Sequence, residues 1–273
     1  MRGTVRASVA KWVPLCLISL FMLFPLAWMV VCAFKSKAEV LKSPFQFFPE
    51  IWLWQNWVDI LSDPTFQRAM VMTFLGALLF TAGSLLINSM AAYVFARLDF
   101  AGKRLWWVVC ILPMFVPAMA ILLTSFVVVT KLGMLNSLTG LIIPGMASAA
   151  QMFFMRQFFL AMPMAVEEAA MIDGCSRWSI FYRIFVPNSA AVFTVVGMLS
   201  FMAYWNAYIW PILIVSNPNL RQIMQFMADF RSSRGTEWGL LMAGSTLAAL
   251  PAIILLLIFQ RFIVAGVRIS GIK

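Results

Sequence analysis

A chain of 273 residues, of which 63% are hydrophobic and 11% charged, with a mean hydropathy of +0.93, lies far outside the composition of water-soluble domains, where roughly a quarter of residues are charged. The formal net charge of +10 does not point to nucleic acid, because the basic residues sit at the ends of apolar segments and form no run interleaved with polar residues. With no histidine, and four cysteines without a paired spacing, a zinc or haem site has nothing to build on and a Ser-His or Cys-His nucleophile is excluded.

Runs of about 20 apolar residues, the length that crosses a hydrocarbon core of ~30 Å, occur near 12–34, 70–95, 105–130, 138–162, 191–215 and 240–264. All six read as membrane-spanning helices in an all-α fold. The first is longer than the roughly 7–15 apolar residues of a signal peptide, so it is read as a retained span. Asn88 and Ser89 in the second run and Gln151 in the fourth each prefer a partner or a wet cavity to lipid. Asn88 and Gln151 are therefore candidates for a polar path. Arg156 stands six residues before Met162, about 9 Å from the expected helix end, within snorkelling reach of the interface. No acidic residue lies inside a span, which disfavours a proton-coupled carrier.

Between the fourth and fifth runs the chain turns charged and helix-forming. Pro163 suits a first helical turn, Glu167 and Glu168 lie near the positive end of the helix dipole, and Gly174 can close the helix in a left-handed conformation. Val166, Ala169, Ala170 and Asp173 then share one face of small side chains, against which another protein can dock closely. Ser176 can cap a second short helix anchored by Trp178, Ile180, Phe181, Ile184 and Phe185, with Pro187 breaking it. The expected result is a stiff elbow. In the fifth run, Tyr204, Trp205, Asn206 and Tyr208 form either an interfacial aromatic belt or a surface that stacks on and hydrogen-bonds sugars. Asn206 is the member expected to face inward, since its amide is costly in lipid, and Pro211 is expected to kink the helix.

Six spans put both termini on one side. With the N-terminus inside, twelve of the 20 Lys and Arg residues fall in the cytoplasm, as the positive-inside rule prefers. No G-x-x-x-x-G-K-[ST] motif is present, so the chain holds no P-loop for ATP.

Glu168, Ala169, Ala170, Gly174, Ile184, Val186 and Pro187 stand in the order E-A-A, three residues, G, nine residues, I, one residue, an aliphatic and P. This resembles the cytoplasmic signature of permease subunits of bacterial ABC importers, with Val186 in place of the usual Leu. The stretches PLAWMVVCAFKS, INSMAAYVFARLDFAGKR, FFMRQFFLAMP, YWNAYIWPIL and FQRFIVAGVRISGIK extend the likeness to the maltose-type carbohydrate importers, and to the shorter, six-span member of their unlike permease pair. The tail from Gly266 to Lys273 departs from the usual family ending.

The resemblance implies a type I importer permease fold, with a first span and periplasmic segment at 1–69, a core at 70–265 containing a coupling loop at 161–190, and a cytoplasmic tail at 266–273. It implies a subunit of the bacterial inner membrane that is not an enzyme and binds no cofactor itself, with ATP and Mg on partner subunits. The implied partners are a cytoplasmic ABC ATPase dimer, a second non-identical permease and a periplasmic or extracellular solute-binding protein. Glu167, Glu168, Ala169, Ala170, Asp173, Gly174, Ile184 and Pro187 would couple to the ATPase, Glu168 through a basic residue there, and the tail would reach toward the same interface. The implied cargo is a sugar or oligosaccharide, with an amino acid, a peptide or a glycerol phosphate ester as the alternative.

Overall fold

A computed structural model describes residues 2–42, 44–233 and 237–269, and every regular element among them is helical. In chain order these are α1 (Arg2–Cys32), α2 (Lys37–Val40), α3 (Gln55–Ser62), α4 (Pro64–Arg97), α5 (Lys103–Ile111), α6 (Ala118–Lys131), α7 (Leu138–Met146) and α8 (Ala149–Leu160). There follow α9 (Met164–Ile172), α10 (Arg177–Ile180), α11 (Val186–Asn188), α12 (Ala190–Trp205), α13 (Ile209–Ile214), α14 (Ile223–Ser233) and α15 (Trp238–Ile269). α15 continues into the expected tail; its last four residues, 270–273, lie outside the described residues.

Three segments, Trp12–Cys32, Pro64–Arg97 and Trp238–Arg261, are each long and apolar enough to cross a membrane unbroken. The other expected spans are bent, and their prolines explain where. The run 105–130 is not one helix: α5 passes into a 3₁₀ turn at Leu112–Phe115, and the axes before and after the break differ by 108°. Val116 is extended (φ −102°, ψ 124°) because the ring of Pro117 excludes the α conformation from the residue before it. α7 and α8 are bent by 47°, and Ser148 starts the second piece by accepting a bond from the Gln151 amide.

The run 191–215 is also divided. α12 stops at Trp205 with Asn206 as its C-cap, and three residues separate it from the start of α13. Pro211 lacks an N–H and its ring clashes with the carbonyl four residues back, but it is tolerated in a first turn. It therefore sits near the start of α13, and the preceding helix ends before it. The third bent pair lies further back than the expected run, Arg177–Asn188 with Ala190–Trp205 at 82°. Three unbroken helices with three bent pairs give up to six crossings by length and composition.

The chain divides into two compact units, Met1–Gln67 with Phe226–Pro251 and Arg68–Gln225 with Ala252–Lys273. In the first, α1 presents exposed apolar side chains from Trp12 through Leu26, a surface suited to lipid. Beyond it, Phe34 packs edge-on against Trp52 and Trp54, and Asn56 donates to the carbonyl of Ala33 at 2.9 Å. Gly239 meets this loop so closely that a Cβ would lie 2.2 Å from the carbonyl oxygen of Lys35.

The second unit has its core where α4, α8, α9, α10 and α12 converge. Tyr93, Phe95, Met155, Phe159, Ile180, Phe181, Phe185 and Val196 are buried together there. Ring pairs Tyr93–Phe185 (4.9 Å) and Phe159–Phe185 (5.4 Å) fasten the segment after α9 onto the ends of α4 and α8.

Candidate functional site

The elbow is built by local backbone chemistry. α9 runs from Pro163, its N-cap, to Asp173, its C-cap. Gly174 follows at φ +78°; its N–H donates to the carbonyl of Met171 (3.0 Å), and the Cys175 N–H to that of Ala170 (2.9 Å). These two bonds form a Schellman closure, which satisfies carbonyls that the helix end would otherwise leave unpaired. Ser176 Oγ then accepts from the Ser179 amide at 3.2 Å and starts α10.

Pro187 does not end the helix as expected. Residues Phe181–Phe185 widen into a π turn and the helical path continues to Asn188, with the break at Ser189. Pro187 has no N–H to bond the turn before it, and the wider π turn lies there.

The expected coupling residues split in two. Glu168, Ala169 and Asp173 are exposed, and Ile172 at the tip is 87% exposed. Glu167 and Ala170, grouped with them on the sequence, instead turn into the chain's own core. Glu167 accepts a hydrogen bond from Arg177 and faces Arg97 of α4, with Nε and Oε2 3.7 Å apart. Arg97 also donates to the carbonyl of Phe159 in the last turn of α8 and to that of Met162 just beyond it. Arg156 of α8 returns the contact: it donates to the carbonyl of Phe95 at 3.1 Å and lies over the Trp107 ring. Arg156 is half-buried there, at the negative end of the α4 dipole. Ile184 is half-buried and Pro187 exposed.

Asn88 and Gln151 meet in one buried cluster at the α7–α8 bend. The Asn88 amide donates to the carbonyl of Met146 (2.9 Å), and its oxygen accepts from the Ser148 N–H (2.8 Å), so it pairs both backbone groups that the bend frees. Gln151 Oε1 accepts from Ser84 at 2.8 Å and from Ser200 at 3.2 Å. These bonds join α4, α8 and α12. Ser84, Ser148 and Ser200 were not singled out by the sequence reading; the spacing of Ser84 and Asn88, four apart on one helix face, was the available signal.

The aromatic quartet is divided by the helix break. Trp205 is buried and stacked on Phe201 (5.7 Å, 12°), and Tyr204 packs on Phe80. Asn206 and Tyr208 are exposed on the non-helical link, so the four do not lie on a single helix. Tyr204 borders a cavity of about 310 Å³ together with Phe80, Leu122, Ser125, Leu141 and Trp210. Its hydroxyl is enclosed and lacks a hydrogen-bond partner among the described residues. Trp210 Nε1 donates to the carbonyl of Gly140 at 3.0 Å, which holds α13 beside α7. The cavity lining carries no charged side chain.

Comparison with known proteins adds independent findings. The family model described as binding-protein-dependent transport system inner membrane component matches residues 83–269. The chain is 32% identical over 255 residues to the sn-glycerol-3-phosphate transport system permease protein UgpE of Pectobacterium atrosepticum, covering 90% of this chain and 91% of that one. It is 30% identical over 257 residues to the diacetylchitobiose uptake system permease protein NgcG of Streptomyces coelicolor, covering 91% and 83%. Its fold matches a chain of a bacterial ABC transporter involved in the import of the acidic polysaccharide alginate, with a TM-score of 0.82 and 19% identity, over 96% of this chain and 98% of that one.

Proposed function

Because the chain belongs to the family of binding-protein-dependent transport system inner membrane components, we propose that it is the permease subunit of an ATP-driven importer for a neutral sugar or oligosaccharide, and forms half of the path. Its role is passage and coupling; ATP and Mg are held by a partner ATPase dimer. A second, non-identical permease completes the path, and a solute-binding protein delivers the cargo from the far side. Both termini and the elbow lie on the ATPase side, as the Lys and Arg distribution favours.

The observation that carries this reading is the elbow. It is a rigid two-helix projection packed into the core of the second unit, yet Glu168, Ala169 and Ile172 are left uncovered by this chain. An outward face of that kind, on a support this firm, suits a partner that pushes.

For the cargo, the cavity beside Tyr204 supports a neutral sugar: aromatic faces and a serine hydroxyl stack and hydrogen-bond, and no side chain there neutralises a phosphate. The glycerol phosphate alternative draws on the 32% identity to UgpE. Reconstitution with the ATPase, second permease and binding protein separates the two readings. The expected outcome is ATP hydrolysis stimulated by a neutral oligosaccharide, with accumulation of that sugar in the vesicles. Stimulation by glycerol 3-phosphate alone would select the alternative.

A further inference from the structure

We propose that Glu167 is a positioning residue for coupling: a buried carboxylate clamped between Arg97 of α4 and Arg177 of α10, through which movement of the elbow passes to α4. This inference rests on the reading of the chain as an ATP-coupled permease. The side chains of Glu167 and Arg97 are 2% and 5% exposed, and Arg177, at 49%, closes the outer side. Glu167 Oε2 and Arg97 Nε face each other just beyond hydrogen-bond length, and neither has a hydrogen-bond partner among the described residues. Each of these two atoms depends on the other.

Packing does not account for a carboxylate here. Enclosing an ion pair costs several kcal/mol per ion, and apolar side chains of similar volume are often as stabilising or more so. The aromatic cluster around Phe185 already fastens the elbow. What the pair adds is register. Apolar surfaces can slide past one another at little cost, whereas opposite charges drawn apart in an enclosed site lose attraction that water does not replace. Arg97 is bonded at the same time to the carbonyls of Phe159 and Met162, so one side chain ties the ends of α4 and α8 to α9. If α9 moves, it must carry the end of α4 with it or separate these charges.

The test uses the complete complex in proteoliposomes. Spin labels are placed at positions 99 and 164, both exposed, after replacement of the four native cysteines. In the parent complex the inter-label distance is expected to stay constant when ATP and vanadate trap the closed ATPase. In Glu167→Gln the distance is expected to shift or broaden on trapping, and the sugar accumulated per ATP hydrolysed to fall about fivefold or more. Glu167→Asp, which keeps the charge, is expected to recover part of that ratio. Should Glu167→Gln fail to assemble, Arg177→Gln at the half-exposed partner is expected to lower the ratio in the same direction. A Glu167→Gln complex with an unchanged distance and an unchanged ratio overturns the proposal. A parent complex with no ATP-dependent uptake overturns the permease reading itself, a result distinct from a loss confined to the variants.

Discussion

Glu167 and Glu168 are neighbours in the chain, but a helix turns them about 100° apart, and that rotation gives them opposite environments. Glu167 enters the core between two arginines while Glu168 remains outside. Gly174, seven residues on, is needed for its backbone: a Cβ there would meet nothing within 4 Å, but φ is +78°. A residue with a side chain pays about 1–2 kcal/mol in that conformation, and a β-branched one is the least suited. Gly174→Val is therefore expected to loosen the turn between α9 and α10 and to lower uptake, with normal insertion into the membrane. Gly174→Asn, which tolerates the left-handed region, should keep most of it. Uptake at matched amounts of membrane-inserted subunit checks both.

Helix breaks are the recurring device at the level of elements. Each frees backbone groups that lipid cannot satisfy, and the pairing observed at the α7–α8 bend is Asn88, bonded to Met146 on one side and Ser148 on the other. Interhelical hydrogen bonds in membrane proteins are worth ~0.6 kcal/mol on average and ~1.7 at most, so losing both costs about 1–3 kcal/mol. Asn88→Leu is expected to lower the thermal midpoint of the purified complex in detergent. Ser89→Ala should not, because among the described residues Ser89 donates to the carbonyl of Leu86 on its own helix and to no other helix. Equal midpoints for Asn88→Leu and the parent would mean that the bend is held by the prolines and the surrounding side chains alone.

For the whole molecule, the sequence holds no P-loop, so the proposed function needs ATP bound by a partner. Phe115 at the α5–α6 turn is 78% exposed, Leu123 on α6 is 73%, and Ile172 on the elbow 87%, so apolar surface remains for lipid and for other subunits. Purification through a tag on this chain is expected to recover an ATPase and a second, different permease in fixed proportion. Isolation as a stable monomer active in ATP-dependent uptake would exclude the subunit reading.

The amino-acid sequence by itself determined where the long apolar runs lie and how the elbow's two helices are closed and capped. Apolar run length is a property of consecutive residues, and so are the closing turn at Gly174 and the cap at Ser176. Pro211 also marked a break, whereas the apolar run 105–130 read as one span: its 108° turn at α5–α6 depends on what the two pieces pack against. Only the tertiary structure decided that Asn88 and Gln151 are partners of each other and that Trp205 is buried. It also decided that Arg97, counted on the sequence merely as a topological charge, faces Glu167. Those outcomes join residues some 60 to 70 positions apart, and periodicity within one helix carries no information about which distant side chain will complete a buried polar group.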